Sequence, residues 1–129
     1  MENLRLLLVD DEEEFVSTLA HRLQIRGYNT GVASDGEEAL NLLASNTYDV
    51  MVLDLMLPGL SGLDVLQQVK QQLPDLPVIM LTGQGSTREG MDGMRFGAFD
   101  FLMKPVDLDE LITKIGEAAT HHQAGGGTP

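Results

Sequence analysis

Leu4-Arg5-Leu6-Leu7-Leu8-Val9-Asp10-Asp11 (residues 4–11) is an apolar run, broken only by Arg5, that stops at a pair of carboxylates. A short run of this kind reads as a strand buried on both faces, as in a parallel sheet. The residues that follow repeat apolar side chains at Phe15, Leu19 and Leu23, with acidic residues in the first turn and Gly27 after the last. That is the pattern of an amphipathic helix. The chain thus opens strand then helix, with Asp10-Asp11 at the junction.

The alternation recurs outward from this unit. Asn29 to Ala33 reads as a short strand, and Ser34 with Glu37 three residues later as a capping box opening a helix through Leu40, Leu43 and Ala44. Val50 to Leu53 is the most apolar stretch, and after Pro58-Gly59 a helix carries Leu63, Leu66, Val69 and Leu73 up to Pro74. Val78 to Leu81 is a fourth strand, Thr87 to Phe96 a weak helix, and Phe99 to Met103 a fifth strand. Leu108, Leu111, Ile112 and Ile115 mark the last helix. Strands alternating with helices imply an α/β fold, its mainly parallel sheet covered on both faces, because crossovers are right-handed.

Composition narrows the function. At 129 residues, 43% apolar and 22% charged, the chain suits one self-folding domain. Residues 1–122 are expected to form it, with 123–129, rich in glycine, a flexible tail or the start of a linker. Cysteine is absent, which excludes thiolate metal sites and cysteine nucleophiles. The net charge of -12 repels a phosphate backbone, so nucleic acid is not an expected ligand of this domain. The first residues lack the form of a signal peptide and no apolar run has membrane-spanning length, which leads to the expectation of a cytoplasmic protein with no membrane contact. His21 and His121-His122 read as solvated side chains, and the seven methionines as gap fillers.

In open parallel sheets ligands sit outside the carboxyl ends of the strands, beside the point where strand order reverses. Those ends carry Asp10-Asp11, Asp54, Thr82 and Lys104-Pro105. Singly, each has a local explanation: carboxylates at a helix start, a turn former, a hydroxyl turn, a solvated lysine before a proline break. None of these explains why carboxylates and an ammonium converge on one mouth. Clustered carboxylates favour a hard divalent cation, and Mg²⁺ takes one or two of them with waters and phosphate oxygens. A carboxylate also attacks phosphorus when a metal and a cation offset the charge of the transferring group. Lys104 supplies that cation, and the Thr82 hydroxyl a contact for a phosphoryl oxygen.

With these motifs in order, the sequence resembles the receiver domains of bacterial two-component response regulators, in the chemotaxis-regulator-like superfamily, from about Leu4 to Ala118. Gly97-Ala98-Phe99-Asp100-Phe101-Leu102-Met103-Lys104-Pro105 looks especially like the fifth-strand signature of that family. The resemblance implies a doubly wound, flavodoxin-like five-stranded parallel sheet of order 2-1-3-4-5 with five helices. It makes Asp54 the phosphoacceptor, with Lys104 and Thr82 assisting. It makes Asp11, Asp54 and the backbone carbonyl of Met56 ligands of Mg²⁺, or of Mn²⁺ in its place, with Asp10 acting through water. It also implies a cis peptide before Pro105.

Thr82 and Phe101 take the switch positions, Phe101 where tyrosine is frequent. Gly83 stands where alanine is common, and Gln84 flanks the attacking water. The implied partners are a sensor histidine kinase or phosphotransfer protein as donor and an output domain or protein. The fourth helix, fifth strand and fifth helix form the responsive surface, with phosphorylation-dependent homodimerisation compatible with the family. Such a domain catalyses only its own phosphorylation and dephosphorylation, which is not enzymatic turnover of an external substrate. Phosphohydrolases with an Asp nucleophile place a second Asp where this chain has Met56. A flavin carrier would want a phosphate loop where it has Asp10 to Glu14. The glycines Gly90 and Gly93 mark the fourth helix as the weakest, with a thin apolar face of Met91, Met94 and Phe96.

Overall fold

The computed structural model describes residues 3–83 and 87–127, with 122–127 described by backbone alone. In chain order the elements are β1 (Arg5–Val9), α1 (Glu13–Ile25), β2 (Asn29–Ala33), α2 (Gly36–Ser45), β3 (Val50–Asp54), α3 (Gly62–Gln72), β4 (Val78–Thr82), α4 (Thr87–Arg95), β5 (Asp100–Met103) and α5 (Leu108–Gly127). The strands form one sheet of order β2-β1-β3-β4-β5 in which every pairing is parallel. The order reverses between β1 and β3, since β2 lies to one side of β1 and all later strands to the other. That reversal opens the crevice beside the carboxyl ends of β1 and β3.

Strand periodicity divides the core in two. Leu6, Leu8, Val50, Val52, Ile79 and Leu81 face one side and pack with Leu19 and Leu23 of α1 and Leu111 and Ile115 of α5. Leu7, Val9, Met51, Leu53, Val78 and Met80 face the other and pack with Ala39 of α2 and Val65, Leu66 and Val69 of α3. β3 and β4 are buried along their whole lengths, which is why they read as unbroken apolar runs. With both faces covered, the polar residues at the carboxyl ends of the strands are where function can reside.

Two details differ from the sequence reading. The cap of α2 is shifted by one residue. Asp35, not Ser34, is the N-cap and accepts from the backbone N–H of Glu38, while the Glu38 carboxylate, not that of Glu37, accepts from the N–H and hydroxyl of Ser34. Ser34 lies in the strand-to-helix bend just before this cap. The helical backbone of α5 runs to Gly127.

The second difference concerns α4. Its contact face is made of glycine: Gly90 and Gly93 are buried, whereas Met91, Met94 and Phe96 point outward at 54%, 41% and 40% exposure. A Cβ built on Gly93 would run into Met80 of β4, and one on Gly90 would lie 2.9 Å from the Phe101 ring of β5. The helix lies too close to the sheet for a side chain to intervene. Residues that weaken the helix by propensity are thus the ones that let it dock.

Candidate functional site

Asp10 follows the last residue of β1 and Asp54 ends β3, so the crevice between these strands is lined by two carboxylates. Both are nearly inaccessible, at 2% and 3% exposure. Each is held by a backbone N–H two residues on: Asp10 Oδ1 accepts from Glu12 at 2.9 Å and Asp54 Oδ1 from Met56 at 3.0 Å. These Asx-type turns leave the second carboxylate oxygen of each facing the mouth.

Lys104 enters from the far side of the sheet. Its backbone N–H bonds the Thr82 carbonyl at 2.7 Å, continuing the β4–β5 ladder, and the Lys104–Pro105 peptide is cis, as the family resemblance implies. The ammonium reaches Glu12 Oε1 at 2.6 Å, Asp10 Oδ2 at 2.8 Å and Asp54 Oδ2 at 3.5 Å. It also lies 4.7 Å from the centre of the Phe15 ring on α1. Three carboxylates therefore share one cation.

Asp54 is pushed above the ordinary carboxylate range by burial, with the Asp10 charge adding to this. The Met56 N–H and the Lys104 charge pull the other way. Burial works to lower Lys104, but its hydrogen bonds to Asp10 and Glu12 and the charges of Asp54 and Asp10 outweigh it and hold the ammonium above its ordinary value. The site thus keeps a firmly protonated lysine beside a carboxylate whose charge is costly.

Of the residues named from sequence, the fold brings Asp10, Asp54 and Lys104 together. Asp11 is exposed, and among the described residues the carboxylates close enough to share an ion are Asp10, Glu12 and Asp54, with donor oxygens within 4.8 Å of one another. That donor set is all oxygen and anionic, which fits a hard divalent ion. Thr82 is fully buried, and its hydroxyl donates to the Leu102 carbonyl at 3.5 Å, toward β5. Gly83 is partly exposed just beyond β4, and Gln84 lies outside the described residues. The Met56 side chain is exposed at 59% while its N–H holds Asp54. Phe101 is half-buried beneath Gly90 of α4.

Glu12 and Phe15 were not singled out by sequence reasoning as site residues. Glu12 sits in an acidic run that a helix dipole already explains, and Phe15 falls on the apolar repeat of α1. Only their juxtaposition with Lys104, 92 residues from Glu12 in the chain, marks them.

A doubly wound parallel sheet with buried carboxylates at its switch point and a lysine just beyond the last strand defines the class: an α/β domain with an acidic, lysine-paired site at its strand ends. The chain belongs to the response regulator receiver domain family, whose model matches residues 6–116. It is 41% identical over 112 residues to the response regulator MprA of Mycobacterium sp. (strain KMS), covering 87% of this chain and 49% of that protein. The chain thus spans about half the length of the curated relatives it matches. Among solved structures it is similar to the receiver domain of the Francisella response regulator 1452, with TM-score 0.86, 35% identity, and coverage of 92% of this chain and 98% of that one. It is also similar to NtrX from Brucella abortus in complex with ADP, with TM-score 0.91, 33% identity, and coverage of 95% and 28%. The chain is a receiver domain of two-component signalling, a family that is not one of conventional enzymes. No helix among the described residues is long and apolar enough to cross a membrane.

Proposed function

We propose that the domain is a phosphorylation switch in which Asp54 accepts a phosphoryl group from the phosphohistidine of a sensor kinase or phosphotransfer protein. The observation that carries this reading is the environment of Asp54: a buried carboxylate oriented by the Met56 N–H, with the Lys104 ammonium 3.5 Å away. In the transfer an Asp54 oxygen forms the new P–O bond, the P–N bond to the donor imidazole breaks, and its electron pair leaves on the ring nitrogen. Lys104 is poised to take up the charge of the phosphoryl oxygens, and the Thr82 hydroxyl to turn from Leu102 toward them. Asp10, Asp11, Asp54 and the Met56 carbonyl are the groups assigned to Mg²⁺, with Mn²⁺ as substitute and Glu12 close enough to join. The ion, when bound, neutralises charge on the phosphoryl oxygens.

The output is read from α4, β5 and α5. Thr82 moving toward the phosphoryl group would free space for Phe101, whose ring supports α4 at Gly90. The output partner, homodimerisation and a cytoplasmic setting belong to this reading, as does the unit 1–122. Labelling with radioactive acetyl phosphate and Mg²⁺ tests it. The unaltered domain is expected to take up acid-stable, base-labile label and Asp54→Asn none. Stoichiometric label in Asp54→Asn overturns the assignment.

A further inference from the structure

Lys104 is the only cation in the mouth among the described residues, and its three carboxylate contacts are unequal. Glu12 at 2.6 Å and Asp10 at 2.8 Å lie closer than Asp54 at 3.5 Å. Asp10 and Asp54 are buried, whereas the Glu12 side chain is 61% exposed on the rim. The Glu12 backbone is nonetheless fixed. Its N–H donates to Asp10 Oδ1 at 2.9 Å and its carbonyl accepts from Val16 at 2.9 Å, which starts α1. Phe15, also on α1, presents its ring face to the same ammonium. Glu12 and Phe15 thus draw Lys104 toward α1, while phosphorylation of Asp54 requires its charge on the β3 side.

We infer that Glu12 is a positioning residue that holds the Lys104 ammonium toward α1 and away from Asp54, and so slows phosphorylation of Asp54. This rests on Asp54 being the phosphoacceptor. Before transfer, Lys104 must give up or stretch its contact with Glu12 to follow the incoming phosphoryl oxygens. A single contact to a largely exposed carboxylate restrains only weakly, so the effect is expected to be a tuning of rate by about two- to fivefold.

Two variants separate contact from charge. Glu12→Gln keeps the length of the side chain and removes its charge, and Glu12→Asp keeps the charge and shortens the reach. With acetyl phosphate at fixed Mg²⁺, an Asp54 oxygen displaces acetate from phosphorus, and both variants are expected to be labelled about two- to fivefold faster than the unaltered domain. In the metal-free proteins the Lys104 ammonium nitrogen resonance should shift in both, as should the Asp54 carboxyl carbon. Glu12→Asp behaving as the unaltered domain while Glu12→Gln differs would assign the effect to charge alone and overturn the inference. Unchanged or slower labelling in both variants also overturns it. Label persisting in Asp54→Asn removes the acceptor reading and this inference with it. Label confined to Asp54 with rates indifferent to Glu12 removes this inference alone.

Discussion

Gly90 of α4 lies against the ring of Phe101 on β5, so closely that a Cβ at Gly90 would stand 2.9 Å from Cδ2 and 3.1 Å from Cγ of that ring. Because Cγ is the root of the ring, a small tilt of its tip does not relieve the contact. Gly90→Ala must turn Phe101 about its χ1 or lift the helix. Alanine also gains about 1 kcal/mol of helix propensity, so net stability should change by less than about 1 kcal/mol. The aromatic resonances of Phe101 should move while those of Phe15 stay in place. Unperturbed Phe101 resonances in Gly90→Ala would show that this contact does not couple α4 to β5.

Gly93→Ala meets a different neighbour. The colliding atoms are the sulfur and methyl of Met80, which is fully buried, so the side chain can yield only by disturbing the core around it. Overpacking costs about 1–3 kcal/mol and the propensity gain returns about 1, for a net loss of about 1 kcal/mol. Urea unfolding measures it. A variant as stable as the unaltered domain would mean that α4 is not held at this distance by close packing.

The raised pKa of Asp54 makes stability depend on pH in the metal-free protein. A carboxyl that binds its proton more tightly folded than unfolded destabilises the fold when charged. That cost is relieved as pH falls through the folded-state pKa and is present in full above it. Asp54→Asn should therefore be the more stable protein near neutrality, with the gap closing on acidification. Urea midpoints of both proteins across acid pH check this, and a gap that widens toward low pH would contradict the burial cost.

Divalent ion binding should stabilise the domain, by about 2.7 kcal/mol at a hundredfold excess over Kd if the unfolded chain does not bind. Asp11 is exposed and outside the close carboxylate group, so its part in binding requires a turn of its side chain. Asp11→Ala is expected to weaken Mg²⁺ binding by about tenfold or more, measured by calorimetry since the chain has no tryptophan. Unaltered affinity would transfer the role to Asp10, Glu12 and Asp54.

What the sequence determined by itself was local or periodic. The apolar runs 50–53 and 78–81 are strands because both faces of a parallel sheet are buried, and the residues ending them, Asp54 and Thr82, stand at one edge because every strand runs the same way. Asp10, Asp54 and Lys104 followed from that rule alone. The tertiary structure decided which side chains meet. Glu12 reaches Lys104 while its neighbour Asp11 is exposed, because the Asp10 turn fixes the Glu12 backbone just before α1. The glycines of α4 face the sheet and its methionines face outward, against the apolar pattern, because the gap over Met80 and Phe101 has no room for a Cβ. Periodicity records which residues prefer burial. How closely two elements approach is fixed by residues distant in the chain.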